Sequence, residues 1–315
     1  MTAPRAKFAG VLSILEYNRR YYVASLCAML AIAALLWSRH LPQTVEAALI
    51  AAAVLPAFWT LSSLVASWYI YDHAGVTRWN WLPPILAFPP QHWLNIHAGL
   101  DESTPTLAQF FPNTEFTVLD IYDPQEMTEP SIARARQLHP SPVHPSPGVP
   151  HVSPLRRGFS ADTAAPTQPA IASKLDAFPL PDHACDTIFL LFAAHEIRQP
   201  VRRVQFFAEA ARVLTGSGQL LLVEHLRDWK NFAVFGPGFL HFYPRDEWLR
   251  VAHAAGLTVI REDRVTPFVR AFLMRKLAAA PTSAEPRAIS GAGQNSHSAT
   301  PPAPGIPTPS TASNP

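Results

Sequence analysis

The stretch "WLNIHAGLDES" (residues 93–103) decides how this chain is read. It opens as an apolar run of strand length, breaks at Ala98 and Gly99, and continues into residues that favour a helix start. In proteins that alternate strands and helices, such a junction is where backbone N–H groups reach a phosphate or nucleoside. One glycine after an apolar run is also an ordinary strand end. The flanking segments must decide between a cofactor loop and a plain turn.

Downstream, Asp101, Ser103 or Thr104 can cap a helix whose apolar face is "TLAQFF" (106–111) and which stops at Pro112 and Asn113. "FTVLD" (116–120) reads as a second strand ending in an acid, and "PSIARARQ" (130–137) as a short helix with Pro130 in its first turn. Further strands are expected at "IASKLD" (171–176), "ACDTIFLLFA" (184–193) and "GQLLLVEH" (218–225). "VRRVQFFAEAARVL" (201–214) has helical apolar spacing, and "RDEWLRVAHAAG" (245–256) is a helix closed by Gly256. "LTVIRED" and "TPFVRAFLMRK" form a closing strand pair. The pattern predicts an α/β, Rossmann-like, mostly parallel sheet with helices on both faces, which binds ligands at the carboxyl ends of its strands.

The polar residues gather at that edge. The first strand ends at Gly99, the second at Asp120 with Tyr122 just beyond, the third at Asp176, the fourth at His195 and Glu196, and the fifth at Glu224 and His225. A carboxylate at Asp120, about twenty residues past the glycine turn, can accept hydrogen bonds from both ribose hydroxyls of a nucleoside cofactor. A histidine with an ordinary pKa near ~6.5 is a usable base when a carboxylate orients it, which makes His195 the candidate general base and Glu196 or Glu224 its orienter. The aromatic, glycine-containing "NFAVFGPGFLHF" (231–242) is too irregular for a helix and is expected to form an apolar lid.

These segments resemble the class I S-adenosylmethionine-dependent methyltransferases over roughly residues 91–275. "LPDHACDTIFLLFAAHEI" is similar to the family's stretch around its fourth strand, and "FAEAARVLTGSGQLLLVEH" to its late helix, turn and fifth strand. "LDAFPLPD" (175–182) resembles the segment whose acid, here Asp176, contacts the adenine amino group. The resemblance implies S-adenosyl-L-methionine as cofactor. The family's first motif is an acid followed by alternate glycines, and Asn95, His97, Gly99 and Asp101 stand at those positions here. His97 or Asp101 would push the loop outward or set new polar atoms against the ligand. Alternatively, Asp101 replaces the charge lost at Asn95 and pairs with the cationic end of the cofactor.

Two apolar runs precede this domain, at residues 21–37 and 45–71. Each is uncharged or nearly so, long enough to cross a hydrocarbon core, and edged by aromatics such as Trp37, Trp68 and Tyr69. Arg5, Lys7, Arg19 and Arg20 lie before the first run and Arg78 after the second, so the positive-inside bias puts both ends in the cytoplasm. The expected layout is a cytoplasmic arm (1–20), a transmembrane hairpin, a linker (72–90), the cytosol-facing α/β domain and a disordered tail (276–315). Of 33 prolines, eight fall in 139–170 and eight in 281–315. With few large apolar residues, neither segment offsets its ordering entropy, so the first reads as a flexible insertion and the second as the disordered tail. Its histidines, His139, His144 and His151, lack neighbouring acids, and no metal is expected there.

A net charge of +2 with no basic stripe argues against nucleic acid as a partner. Cys27 and Cys185 have no metal or disulfide spacing, which suits a reducing compartment. The sequence therefore points to a methyltransferase of the cytoplasmic membrane acting on a small, lipophilic acceptor such as a lipid or quinone. The second reading is an inactive, methyltransferase-like binding module tethered to the membrane. A nicotinamide-dependent oxidoreductase needs a three-glycine fingerprint that this chain lacks.

Overall fold

The computed structural model describes residues 8–38, 41–138, 143–144 and 169–277. Three helices lead: α1 (Ala9–Tyr17), α2 (Arg19–Trp37) and α3 (Gln43–Ser67), the last continuing through a π-helical turn at Trp68–His73. Short 3-10 turns at Val76–Arg78 and Pro83–Ile85 connect to β1 (His92–His97). Then follow α4 (Thr104–Phe110), β2 (Glu115–Asp120), α5 (Pro130–Leu138), β3 (Val143–His144), β4 (Ala170–Ala172), β5 (Cys185–Leu191) and α6 (Pro200–Val213). The chain continues with β6 (Leu214–His225), α7 (Trp229–Phe235), α8 (Arg245–Ala254), β7 (Leu257–Thr266) and β8 (Val269–Lys276).

The eight strands form one sheet in the order β3-β4-β2-β1-β5-β6-β8-β7, parallel except that β8 lies antiparallel between β6 and β7. Sequence neighbours that are not sheet neighbours put β1 at the centre, where the strand order reverses. A doubly wound, Rossmann-like sheet of this kind opens a crevice at that point, above the carboxyl ends of β1 and β5.

Period-2 alternation of large apolar residues covers both faces. Ile188 and Leu190, Leu220 and Leu222, and Phe272 and Met274 turn toward Phe206 and Phe207 of α6 and Trp248 and Val251 of α8. Phe189, Leu191, Leu221, Val223 and Leu273 turn the other way, against Leu107 of α4 and Ile70, Val76, Trp79, Leu82 and Ile85. The segment expected to be a linker, residues 72–90, is therefore part of the core. Its prolines break helix, but its apolar side chains fill the face that no long helix covers.

Other expectations change in detail. Residues 9–17, within the expected cytoplasmic arm, form α1. The carboxylate of Asp72 accepts from the backbone N–H groups of Gly10 (2.7 Å) and Val11 (3.0 Å), two of the first-turn donors that a helix leaves unpaired. The strand expected at 171–176 shortens to β4, because the chain turns at Lys174–Ala177 and sends Leu175 into the core. Half of the irregular lid is helical: Asp228 caps α7 by accepting from Asn231 N–H (2.9 Å), and Gly236, with φ of 53°, ends it. Beyond β3, most of the insertion at 139–170, with His139 and His151, lies outside the described residues, as does the tail from residue 278.

Helices α2 and α3 carry large exposed apolar side chains, among them Leu26, Leu30, Phe58 and Leu61. The most apolar 18-residue window of Arg19–Trp37 has a mean hydropathy of 1.6 and that of the longer run Gln43–Arg78 one of 2.0, both long and apolar enough to cross a membrane. They touch through Ser25 and Thr60, whose hydroxyls are 3.1 Å apart.

Candidate active site

A cavity of about 270 Å³ opens at the carboxyl ends of β1 and β5. His97, Ala98 and Ser103 form its floor on one side, and Leu191 to Ala193 with His195 and Glu196 on the other. Ile132 and Ala135 of α5 close one wall, while Ser13, Ile14 and Tyr17 of α1, with Tyr71 and Trp79, roof it. Arg134 fastens that roof by donating to Tyr17 O (2.5 Å).

The opening stretch is a turn of the expected kind, with Gly99 at φ of 94°. A Cβ at Gly99 would lie 2.8 Å from Arg136 Cδ, so both backbone sign and space call for glycine. Asn95 is fully buried and donates to Ser103 Oγ (2.9 Å), Thr104 Oγ1 (2.7 Å) and Asp101 Oδ1 (3.3 Å). Asp101 Oδ1 also accepts from the N–H groups of Ser103 (3.1 Å) and Thr104 (2.9 Å). Asp101 thus caps α4 and ties down the loop, with Oδ1 of its carboxylate committed to these bonds. His97 accepts the Gly99 N–H at Nδ1 (3.3 Å), which puts the ring proton on Nε2. That Nε2 is buried, without a hydrogen-bond partner, on a residue that lines the cavity. Burial, partly offset by Asp120 and Asp101, pushes the His97 pKa down and keeps the ring neutral.

Asp120 sits buried at the end of β2, as expected, but it is paired. Its Oδ2 takes a short hydrogen bond from the guanidinium of Arg136, its Oδ1 accepts from Tyr122 N–H (3.0 Å), and His97 Nδ1 lies 3.7 Å away. The Arg136 guanidinium lies 4.5 Å over the Tyr122 ring and donates to Gly99 O (3.4 Å). Asp176 lies apart, outside the cavity lining, with its carboxylate in an ion pair with Arg202 (2.6 Å) that lowers its pKa.

Across the cavity, His195 lies in a 3-10 turn, Ala194–Glu196, that follows β5 directly. Because β5 and β6 run parallel in register, the end of β6 meets this turn. Glu224 Oε2 lies 2.7 Å from His195 Nδ1, and Oε1 accepts the His195 backbone N–H (3.2 Å). His195 Nε2 faces Glu196 Oε1 at 3.2 Å. Burial alone would lower the His195 pKa, but Glu224 and Glu196 outweigh it and hold it at about 10. The two carboxylates thus favour the protonated imidazole over the free base expected of His195. Burial likewise opposes ionisation of Glu196, but its histidine neighbours hold its carboxyl well below the usual range.

His225, expected among the catalytic residues, lies outside the cavity lining. Nδ1 donates to Phe268 O (3.0 Å), so Nε2 accepts from Tyr71 Oη (3.0 Å), and the ring stacks on Phe242. Burial, reinforced by the His195 cation, pushes its pKa down to about 3.

Three residues that complete the site come from segments without a strand-end signal. His241, at the end of the 3-10 turn Gly236–His241, places Nε2 3.5 Å from Glu196 Oε1 and Nδ1 3.3 Å from Glu129 Oε1. Arg198 donates to His241 O (2.8 Å) and contacts both the His241 ring and Glu129 (3.3 Å). Arg136 reaches in from α5, where alternating Ala and Arg reads only as a solvated face.

No protein-family model matches this chain, and none of the curated proteins compared with it matches. Solved structures do resemble it. A SAM-dependent methyltransferase from Aquifex aeolicus is 19% identical, over 62% of this chain and 88% of that one, with a TM-score of 0.42. Human N-acetylserotonin methyltransferase, solved with SAM, is 13% identical, over 87% and 72%, with a TM-score of 0.47. The pyocyanin biosynthetic protein PhzM is 13% identical, over 66% of this chain and 56% of its own length, with a TM-score of 0.43, so this chain spans little more than half of PhzM. The fold itself rests on the order and direction of the strands described above.

Proposed function

We propose that this chain is a membrane-anchored, S-adenosylmethionine-dependent methyltransferase acting on a small, lipophilic acceptor. The observation that carries the reading is the convergence on one sheet edge of a glycine turn after β1, a buried acid ending β2 and a buried His–Glu cluster after β5. The buried, unpartnered Nε2 of His97 fits a polar ligand above this turn. The backbone around 97–99, with Ser103, would hold the amino-acid end of the cofactor, and Asp120 the ribose. S-adenosylmethionine supplies an electrophilic methyl group on a sulfonium.

The chain's own residues do the positioning. Arg136 must release an oxygen of Asp120 for ribose hydroxyls to bind. His195 and Glu196 orient the acceptor, and α1 with the Trp68–His73 turn shields the crevice from water. Positioning supplies most of the rate for in-line transfer, and no free base is required unless the acceptor holds its proton.

The lipophilic acceptor is supported by how the lid meets the anchor. Ser62 on α3 donates to Val234 O of α7 (2.9 Å), and Trp59 packs on Phe232 with ring centres 5.6 Å apart. Phe232 packs in turn on Phe239, and Phe235 on Phe242, which reaches His225. Two separate aromatic groups thus mark a track between α3 and the site, with Trp229 and Leu240 exposed beside it. With α2 and α3 in the bilayer and the basic residues around them inside, this track lies at the inner leaflet. The test is incubation of the detergent-solubilised protein with methyl-labelled cofactor and either membrane lipid extract or cytosolic metabolites. Label should enter the lipid extract. Label only in the soluble pool would refute the lipophilic acceptor, and none in either, from folded protein, would refute the enzyme.

A further inference from the structure

We propose that His195, Glu196 and His241 form a binding site for one divalent transition-metal ion, with zinc the best match. The ligand atoms of the three residues lie within 4.8 Å of one another. His195 Nε2 and His241 Nε2 both point at Glu196 Oε1, at 3.2 and 3.5 Å. Donors held about 2.1 Å from one ion at tetrahedral or octahedral angles lie about 3.0–3.4 Å apart, so the two spacings to Glu196 are at or near those of a coordination shell and small side-chain rotations would close the third. The second oxygen, Oε2 of Glu196, is buried with no hydrogen-bond partner.

The outer partners follow the same logic. A metal-binding histidine directs its other ring nitrogen to a carboxylate or carbonyl, which fixes the ring and raises its basicity. His195 Nδ1 meets Glu224 at 2.7 Å, and His241 Nδ1 meets Glu129 at 3.3 Å. Each histidine thus lies between two carboxylates, one outside the cluster and one within it. Arg198 is the competing cation, since its Nη2 contacts both His241 nitrogens, at 3.2 Å for Nε2. Metal entry leaves it the contacts with Glu129 and His241 O. Two imidazoles and one carboxylate are a donor set for zinc or another borderline first-row ion rather than magnesium, which prefers all-oxygen shells.

All three residues line the cavity, so the ion keeps an open position toward it. On the function proposed above, that position takes the oxygen of an acceptor, which makes the acceptor a hydroxyl or enol compound. Metal binding itself does not depend on that function.

The test uses the full-length protein in detergent, stripped with chelator and titrated with zinc alone by calorimetry, without any cofactor. One equivalent is expected to bind, with His241→Ala and Glu196→Gln each weakening it at least about tenfold and magnesium failing to compete. His241 is partly exposed and Glu196→Gln is isosteric, so folded variants are expected, and circular dichroism verifies each. A variant with His139, His144 and His151 changed to alanine should keep the equivalent. No stoichiometric zinc, or zinc held equally by both site variants, overturns the proposal. If zinc binds but no methyl transfer is found, the metal site stands and the enzyme reading falls.

Discussion

Tyr71, in the π-helical turn that ends the second apolar helix, donates its hydroxyl proton to His225 Nε2 at the end of β6, 3.0 Å away. His225 is buried and Tyr71 partly so. A hydrogen bond between residues 154 positions apart thus couples the apolar hairpin to the strand that also carries Glu224. Tyr71→Phe leaves a buried acceptor unpaired and should destabilise the protein by about 1–3 kcal/mol. Chemical denaturation in detergent measures this; an unchanged midpoint would mean this hydrogen bond contributes nothing to joining the hairpin to the sheet.

The segment between hairpin and sheet is core. Leu82 is fully buried against the face formed by Trp93, Phe189 and Leu273. Leu82→Ala should cost about 2–5 kcal/mol, the range for emptying a buried leucine site. A chain beginning at residue 91 loses Ile70, Val76, Trp79, Leu82 and Ile85 together and should be insoluble or molten by near-ultraviolet dichroism. A cooperative melt from that truncated chain would contradict the assignment.

Arg203 is the charged strut beneath the site loop. Its guanidinium donates to Ile197 O (2.6 Å), Arg198 O (2.9 Å) and Glu247 (2.6 and 3.0 Å) and lies 3.9 Å over the Tyr243 ring. Arg203→Ala strands the Ile197 carbonyl and takes from Glu247 one of its two arginine partners, and should cost about 3 kcal/mol. Hydrogen bonds from Arg250 first, then from Arg203, hold the Glu247 pKa below 4.5. A carboxyl whose folded pKa is depressed stabilises the protein above its unfolded value and loses that contribution as pH falls through the folded one. The stability gap between wild type and Glu247→Gln should therefore be full at neutral pH and shrink below about pH 4.5. A gap that persists at lower pH would contradict the pairing.

On the proposed membrane anchor, the basic residues up to the start of α2 and after α3 place both ends in the cytoplasm. In a background lacking Cys27 and Cys185, Ser38→Cys should react with an impermeant thiol reagent in intact cells, while a cysteine at Ser283 should not. The opposite pattern would invert the membrane orientation.

The sheet was legible because apolar alternation and turn residues mark each strand, and strand ends then gather Gly99, Asp120, His195 and Glu224 by topology alone. What these groups do there was less legible. Asp101 reads both as a helix cap and as a cofactor partner, and the structure shows it in the first role, accepting from the N–H groups of Ser103 and Thr104. His195 reads as a base because its pKa depends on Glu224, 29 residues away, whose carboxylate meets it only through the pairing of β5 with β6. Arg136 and His241 were missed because long or turn-borne side chains enter the site from segments with no strand-end signal. The linker was misjudged because prolines exclude helix without excluding burial.

The central claim is that the edge formed by Gly99 and Asp120 binds S-adenosylmethionine, and calorimetric titration of the solubilised protein tests it most directly. One site per chain is predicted. Asp120→Ala should weaken it by about 1.5–3 kcal/mol, roughly 10- to 150-fold, because charge-assisted bonds to the ribose hydroxyls are lost. Arg136→Ala, which removes the group now holding that carboxylate, should bind at least as tightly as wild type. No heat of binding from folded wild-type protein, or equal affinity in wild type and Asp120→Ala, would contradict the account.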